Sequence, residues 1–170
     1  MRIACVLIPS FAVAVERRAS PAFDGTPLAV LDRDVVLDAD AAGVRRGLSL
    51  RQAKALRPDA TFVEANHARY RDVAEAMLGA LERVTPAVEP VGLGCAYADI
   101  RGLQGHYENE FTLAGTLVEA VRGATGLLAS VGIANGKFVA WVAASITSPG
   151  EGIDGRSGKE GRPGSVPARS

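Results

Sequence analysis

The chain has 170 residues, 48% hydrophobic and 22% charged, which excludes a wholly disordered or fibrous protein and allows one good core. Lysines plus arginines number 19 and carboxylates 19, giving formal charge +0, so bulk electrostatics is excluded as the main source of any nucleic-acid binding. Two cysteines, Cys5 and Cys95, are too few for a disulfide scaffold, and no apolar run is long enough for a membrane span. The apolar start breaks at Pro9, too early for a secretory leader, and a cytoplasmic protein is expected.

The run from Arg2 to Ile8 is apolar and rich in β-branched residues, and it predicts a central strand covered on both faces. Phe11–Arg18 predicts a helix closed by Ser20-Pro21. Pro27–Asp32 and Val35–Asp38 read as a hairpin around the charged Arg33-Asp34, and Ala39–Gly43 and Leu50–Leu56 as two short helices. Thr61–Val63 is a brief strand. From Tyr70 the spacing of Val73, Met77, Leu78, Leu81 and Val84 predicts an amphipathic helix ending at Pro86. Ala87–Leu93 and Cys95–Ile100 predict antiparallel strands about Gly92–Gly94. Phe111, Ala114, Leu117, Val118 and Val121 mark a second amphipathic helix, Leu127–Ile133 an apolar strand, and Phe138–Ile146 a third helix.

This order predicts an α+β fold, a mixed or antiparallel sheet with helices on one face, carrying a small irregular insertion over residues 19–67. Beyond Ser148-Pro149 the composition collapses into Gly, Ser, Pro, Arg and Lys. Residues 150–170 bury too little to offset their ordering entropy, and a flexible tail is expected.

Several stretches, read in order, resemble the Y-family (DinB/UmuC-type) DNA polymerases. Ser10-Phe11-Ala12-Val13-Ala14-Val15-Glu16 looks like their strand-to-helix signature, and Pro21 to Val30 like the loop that enters a fingers strand. Gly43-Val44-Arg45-Arg46-Gly47-Leu48 with Ala53-Lys54-Ala55-Leu56-Arg57-Pro58 is similar to the fingers pattern. Tyr70, Pro86-Ala87-Val88-Glu89, Ala96-Tyr97-Ala98-Asp99-Ile100 and Val131-Gly132-Ile133-Ala134-Asn135-Gly136-Lys137 resemble the palm helix, the catalytic hairpin and the last palm strand. The resemblance implies a palm from residues 1–18 and 68–149 and a fingers-like insertion over 19–67. It also implies a chain that stops before the thumb and little finger, a truncated or frame-shifted product.

Polymerases of this family hold two Mg²⁺ with carboxylates, because hard cations demand oxygen ligands. Carried over by resemblance, the metal positions are Leu7, Gly94 and Cys95, so all three ligands are absent. Two unit charges about 4 Å apart interact by roughly 4 kcal/mol at an effective dielectric of about 20. Losing three such partners forfeits on the order of 10 kcal/mol, or about seven decades in affinity or rate. The triphosphate positions are Leu37, Asp40 and Ser148, where Asp40 would repel the phosphates, and the position beneath the sugar is Ala12. No metal or nucleotide cofactor is expected. This pattern resembles the catalytically silent, ImuB-like members of bacterial mutagenic repair cassettes.

The remaining chemistry-bearing residues have plainer readings. The resemblance implies that the strand of Cys5 and the hairpin of Cys95 are neighbours; the two are expected to be buried or half-buried free thiols, since a disulfide is unusual in a cytoplasmic chain. His67 and His106 have no ligating neighbours, Asp99 lies outside the metal triad, and Glu16 is expected to bond locally near its helix end. Arg45, Arg46, Arg51 and Arg57 form a fingers patch that either touches DNA phosphates or is compensated by Asp32, Asp34, Asp38 and Asp40; contact with DNA is assigned to Arg45, Arg46 and Arg51.

The sequence thus predicts a non-catalytic palm and fingers factor of DNA repair or translesion damage tolerance. Its expected partners are DNA, bound weakly by this chain alone, and a replicative polymerase or another repair-cassette protein, with no membrane. The alternatives are a residual nucleotidyltransferase that needs a partner to supply carboxylates, and a non-functional fragment.

Overall fold

The computed structural model describes residues 1–150 and the strand Gly152–Asp154. Its centre is β1 (Ile3–Leu7), whose five side chains are buried or half-buried, so that both faces must be covered. β1 pairs antiparallel with β6 (Cys95–Asp99) on one side and with β7 (Ser130–Ala134) on the other. β5 (Val88–Gly92) extends the sheet beyond β6, and β8 (Gly152–Asp154) adds a parallel edge to β7, giving the order β5-β6-β1-β7-β8.

Strand alternation divides this sheet's residues between two cores. Ala4, Val6, Ala96, Ala98, Val131 and Ile133 pack against α3 (His67–Glu82) and α4 (Glu110–Thr125), which supply Tyr70, Met77, Leu81, Leu113, Leu117 and Val121. Ile3, Cys5 and Ala134 face the other way, onto Ala140 and Ala144 of α5 (Lys137–Ile146). The α+β class is the expected one, but the helices do not all lie on one face as expected: α3 and α4 share a face, and α5 covers the opposite side, where Ile3, Cys5 and Ala134 also need burial. Gly132 is what lets α5 come so close: a Cβ there would stand 2.3 Å from the Ala140 carbonyl oxygen and 2.3 Å from the Ala144 nitrogen.

α1 (Phe11–Ala19) buries Phe11, Ala12, Val13, Val15 and Glu16, and a single 3-10 turn at Pro21–Phe23 follows it. A second sheet has the order β3-β2-β4, with β2 (Leu28–Asp32) antiparallel to β3 (Val35–Ala39) and parallel to β4 (Thr61–Glu64). Arg33 and Asp34, at φ 51° and 62°, make a hairpin turn whose left-handed residues match the strand twist. α2 (Leu50–Leu56) begins with a reciprocal cap in which Ser49 Oγ accepts from the Gln52 amide and Gln52 Oε1 accepts from the Ser49 amide. Ala29, Leu31, Val36, Val44 and Ala53 form a small core under α2, while Leu28 and Val30 point into the main core.

Four expectations about individual segments also need correction. Ala39–Gly43 is not a helix: Ala39 ends β3, the Asp40 amide bonds back to the Leu28 carbonyl, and Gly43 turns the chain at φ 83°. Phe111 is 73% exposed, and Leu113 takes the core position on α4. β7 starts at Ser130, leaving Leu128 half outside at 49% exposure. Lastly, Gly152–Asp154 pair with β7, because a sheet edge recruits backbone whatever the side chains. The rest of the expected tail lies outside the described residues.

Candidate functional site

Leu7 ends β1 opposite Cys95 on β6 and Ser130 on β7, so the first strand and the hairpin bring two of the three expected metal positions side by side. Gly94 is at the hairpin tip, where its carbonyl accepts from the Ile8 amide at 2.7 Å. Its φ of +74° favours glycine, and a Cβ there would stand 2.4 Å from Cδ2 of Phe11. A carboxylate at Gly94 is therefore blocked by the ring as well as missing from the sequence.

Cys95 meets a second thiol, with its Sγ 3.9 Å from Sγ of the fully buried Cys5. The hydrogen bond between them, together with burial, pushes the Cys5 thiol up, while the same bond holds the Cys95 thiol below its ordinary range. Asp38, a carboxylate lining the adjacent cleft, is engaged by the Val13 amide at 3.1 Å through Oδ2 and by the Ala39 amide at 3.0 Å through Oδ1. An alkyl chain, a bare backbone and a thiol do not fit Mg²⁺, which requires oxygen donors. Among the described residues, no group of three or more His, Cys, Asp or Glu gathers as a metal site.

A cleft of about 510 Å³ opens between the two sheets beside these positions. Leu7, Phe11, Ala12, Leu37 and Leu93 give it an apolar wall, and Arg46 brings the cation. Asp40 and Ser148 are not among its lining residues. Asp40 instead accepts from Arg17 Nε at 2.9 Å, from Arg17 Nη2 at 2.6 Å and from the Leu28 amide at 2.9 Å. The expected repulsive charge is thus a neutralised structural clamp. Ser148 follows the end of α5 and is exposed.

Of the arginine patch, only Arg57 is compensated by an aspartate among the described residues, and that aspartate is Asp59 rather than Asp32, Asp34, Asp38 or Asp40. The side chains of Arg45, Arg46 and Arg51 have no hydrogen-bond or ion-pair partner among the described residues. All three are exposed. His67 lies 3.6 Å from Asp32, His106 is exposed, and Asp99 is paired with Arg101 at 2.6 Å. Glu16 does not bond locally. Its Oε1 accepts from the buried Tyr70 hydroxyl at 2.8 Å and its Oε2 from Arg69 Nη1 at 2.9 Å, tying α1 to α3. Partners more than fifty residues apart leave no local sequence signal, and the Arg17–Asp40 clamp, across twenty-three residues, leaves none either.

The chain matches the impB/mucB/samB family over residues 6–145. It is 31% identical over 167 residues to a DNA polymerase IV of Dehalococcoides mccartyi, an alignment covering 94% of this chain and 43% of the relative. It is 34% identical over 155 residues to the DNA polymerase IV of Stenotrophomonas maltophilia, covering 87% and 43%. The first of these alignments covers too much of the chain to stop at Gly150, so the likeness continues into the segment whose composition predicts a flexible tail. In fold the chain is similar to a post-insertion binary complex of Dbh DNA polymerase, with TM-score 0.82 and 23% identity over 92% of this chain and 48% of that one. The crystal structure of DinB from Sulfolobus solfataricus gives TM-score 0.80 at 23% identity, covering 91% and 49%. The chain therefore spans less than half the length of the curated relatives it matches. A family match across most of the chain, joined to a palm and fingers fold, makes it a member of the impB/mucB/samB family, which is built on the Y-family polymerase fold.

Proposed function

We propose that this chain serves DNA damage tolerance as a non-catalytic, ImuB-like member of its family, presenting its palm and fingers to DNA or to a replicative polymerase. The observation that carries this reading is the chemistry at the metal positions. Leu7, Gly94 and Cys95 stand there on a well-formed strand and hairpin, with Phe11 filling the space a carboxylate would need at Gly94. The fold is kept and the donors for Mg²⁺ and triphosphate are not.

The relatives are DNA polymerases, and the DNA contact is assigned here to Arg45, Arg46 and Arg51, whose charges are exposed and unpaired. Three free guanidiniums on a chain of zero net charge support only weak binding, with Kd on the order of 10⁻⁶ M or weaker at physiological salt. Fluorescence anisotropy on a primer–template duplex tests this. Arg45→Ala/Arg46→Ala/Arg51→Ala should flatten the slope of log K against log salt by about three, near 0.9 for each phosphate no longer neutralised. Unchanged affinity and slope in the triple variant would remove these residues from the DNA interface.

A further inference from the structure

We propose that Cys5 and Cys95 form a dithiol site that exchanges with a low-molecular-weight disulfide of the glutathione class, with Cys95 as the attacking thiol and Cys5 as the resolving one. The two residues lie on adjacent antiparallel strands and point to the same side of the sheet. Cys5 is paired with Tyr97 and Cys95 with Leu7, which makes the cysteines diagonal neighbours. Their sulfurs stand 3.9 Å apart, and a disulfide bond of about 2.05 Å needs an approach of only about 2 Å. Cys95 opens β6 directly after the turn at Gly94, at the end of the strand rather than within it.

Access separates the two roles. Cys5 is fully buried in an apolar cluster with Ile3, Ala134 and Ala140, while Cys95 is half-buried at the cluster's edge. A disulfide arriving from solvent therefore meets Cys95 first. Each thiol's one side-chain hydrogen-bond partner among the described residues is the other, and no third ligand gathers to make the pair a zinc site.

The exchange takes two steps. The Cys95 thiolate, its proton released to solvent, attacks one sulfur of the disulfide RSSR, forming Cys95–S–S–R and expelling RS⁻. Cys5 Sγ then gives up its proton and attacks Cys95 Sγ, closing the Cys5–Cys95 bond and expelling the second RS⁻. Two cysteine thiols are oxidised, one RSSR is reduced, and the two released protons end on two RSH. The bond would link β1 to β6 across the place where the family seats its metals. The site stands apart from the proposed role at DNA, and the failure of either reading leaves the other intact.

Intact-mass spectrometry with peptide mapping decides the matter on the full folded chain incubated with oxidised glutathione and quenched in acid. The wild type should lose two hydrogen masses, yield a Cys5–Cys95 linked peptide, and revert with excess reduced thiol. Cys5→Ser should stop at one glutathionyl group on Cys95, and Cys95→Ser, folded by circular dichroism, should react at least an order of magnitude more slowly. A wild type that stays unmodified while folded, or that halts as a Cys95 mixed disulfide with Cys5 free, would overturn the proposal. The wild-type result decides even if a variant fails to fold.

Discussion

Asp40 grips Arg17 through one carboxylate oxygen, at 2.9 Å from Nε and 2.6 Å from Nη2, while its other oxygen caps the Leu28 amide at 2.9 Å. Arg17 Nη2 also reaches the Thr26 carbonyl at 2.6 Å, so one ion pair fastens α1, the 3-10 turn and the entry to β2. The position expected to face a triphosphate is a structural joint in this fold. Both side chains are partly exposed, so the Coulomb part is modest and the stranded Leu28 amide carries most of the effect. Asp40→Ala should therefore lower stability by about 1–2 kcal/mol, read as a lower urea midpoint with unchanged slope.

Gly94→Asp restores an acid at one metal position, yet it should not restore a site. The new Cβ collides with Phe11 and the backbone sits at φ +74°. The variant should be destabilised by about 1–3 kcal/mol and bind no more Mg²⁺ than the wild type. Urea unfolding and titration calorimetry check both halves.

Tyr70→Phe should cost about 1–3 kcal/mol although it removes one oxygen atom, because the buried Glu16 carboxylate then loses its hydroxyl donor. Burial, with the Glu16 carboxylate beside it, pushes the Tyr70 hydroxyl well above its ordinary range. The phenol therefore stays protonated and donating through mildly alkaline pH, and the difference between wild type and Tyr70→Phe should be flat from neutral pH up to about pH 10. Equilibrium unfolding across that interval is the measurement.

These two networks mark the boundary of what the sequence disclosed. β1 was legible because a β-branched run covered on both faces has few other solutions, whereas α2 was read from Leu50–Leu56 without the Ser49–Gln52 capping box that the structure shows at its start. The hairpin of β2 and β3 was legible from its two flanking strands, although Arg33-Asp34 lacks the usual Asn-Gly. Phe111 misled because its spacing to Ala114 and Val118 fits the buried stripe of α4, yet it stands in the first turn of the helix and is left 73% exposed. β8 had no side-chain signal, since a parallel edge is held by backbone bonds. At the site, the resemblance set Leu7, Gly94 and Cys95 at the expected metal positions, residue by residue. That Phe11 closes the Gly94 position, that Asp40 is already neutralised, and that Arg45, Arg46 and Arg51 are unpaired depends on contacts the chain makes only once folded.

Asp99 gives a pH signature at the far end of β6. The Arg101 guanidinium beside it holds its carboxyl down to about 2, so the pair is complete above about pH 4 and is lost as pH falls from there to about 2. Arg101→Gln should return the Asp99 carboxyl towards about 3.9, followed by its carboxyl carbon shift in an NMR titration. An unmoved titration would show that the ion pair does not govern this group.

Nucleotide incorporation tests the central claim most directly. With a primed template, all four deoxynucleoside triphosphates and Mg²⁺, the purified chain should extend no primer above a no-protein control, and Leu7→Asp alone should not change that. Mg²⁺-dependent extension by the wild-type chain, abolished by chelation and retained through purification to a single species, would contradict the claim that Leu7, Gly94 and Cys95 leave this cleft without catalytic metals.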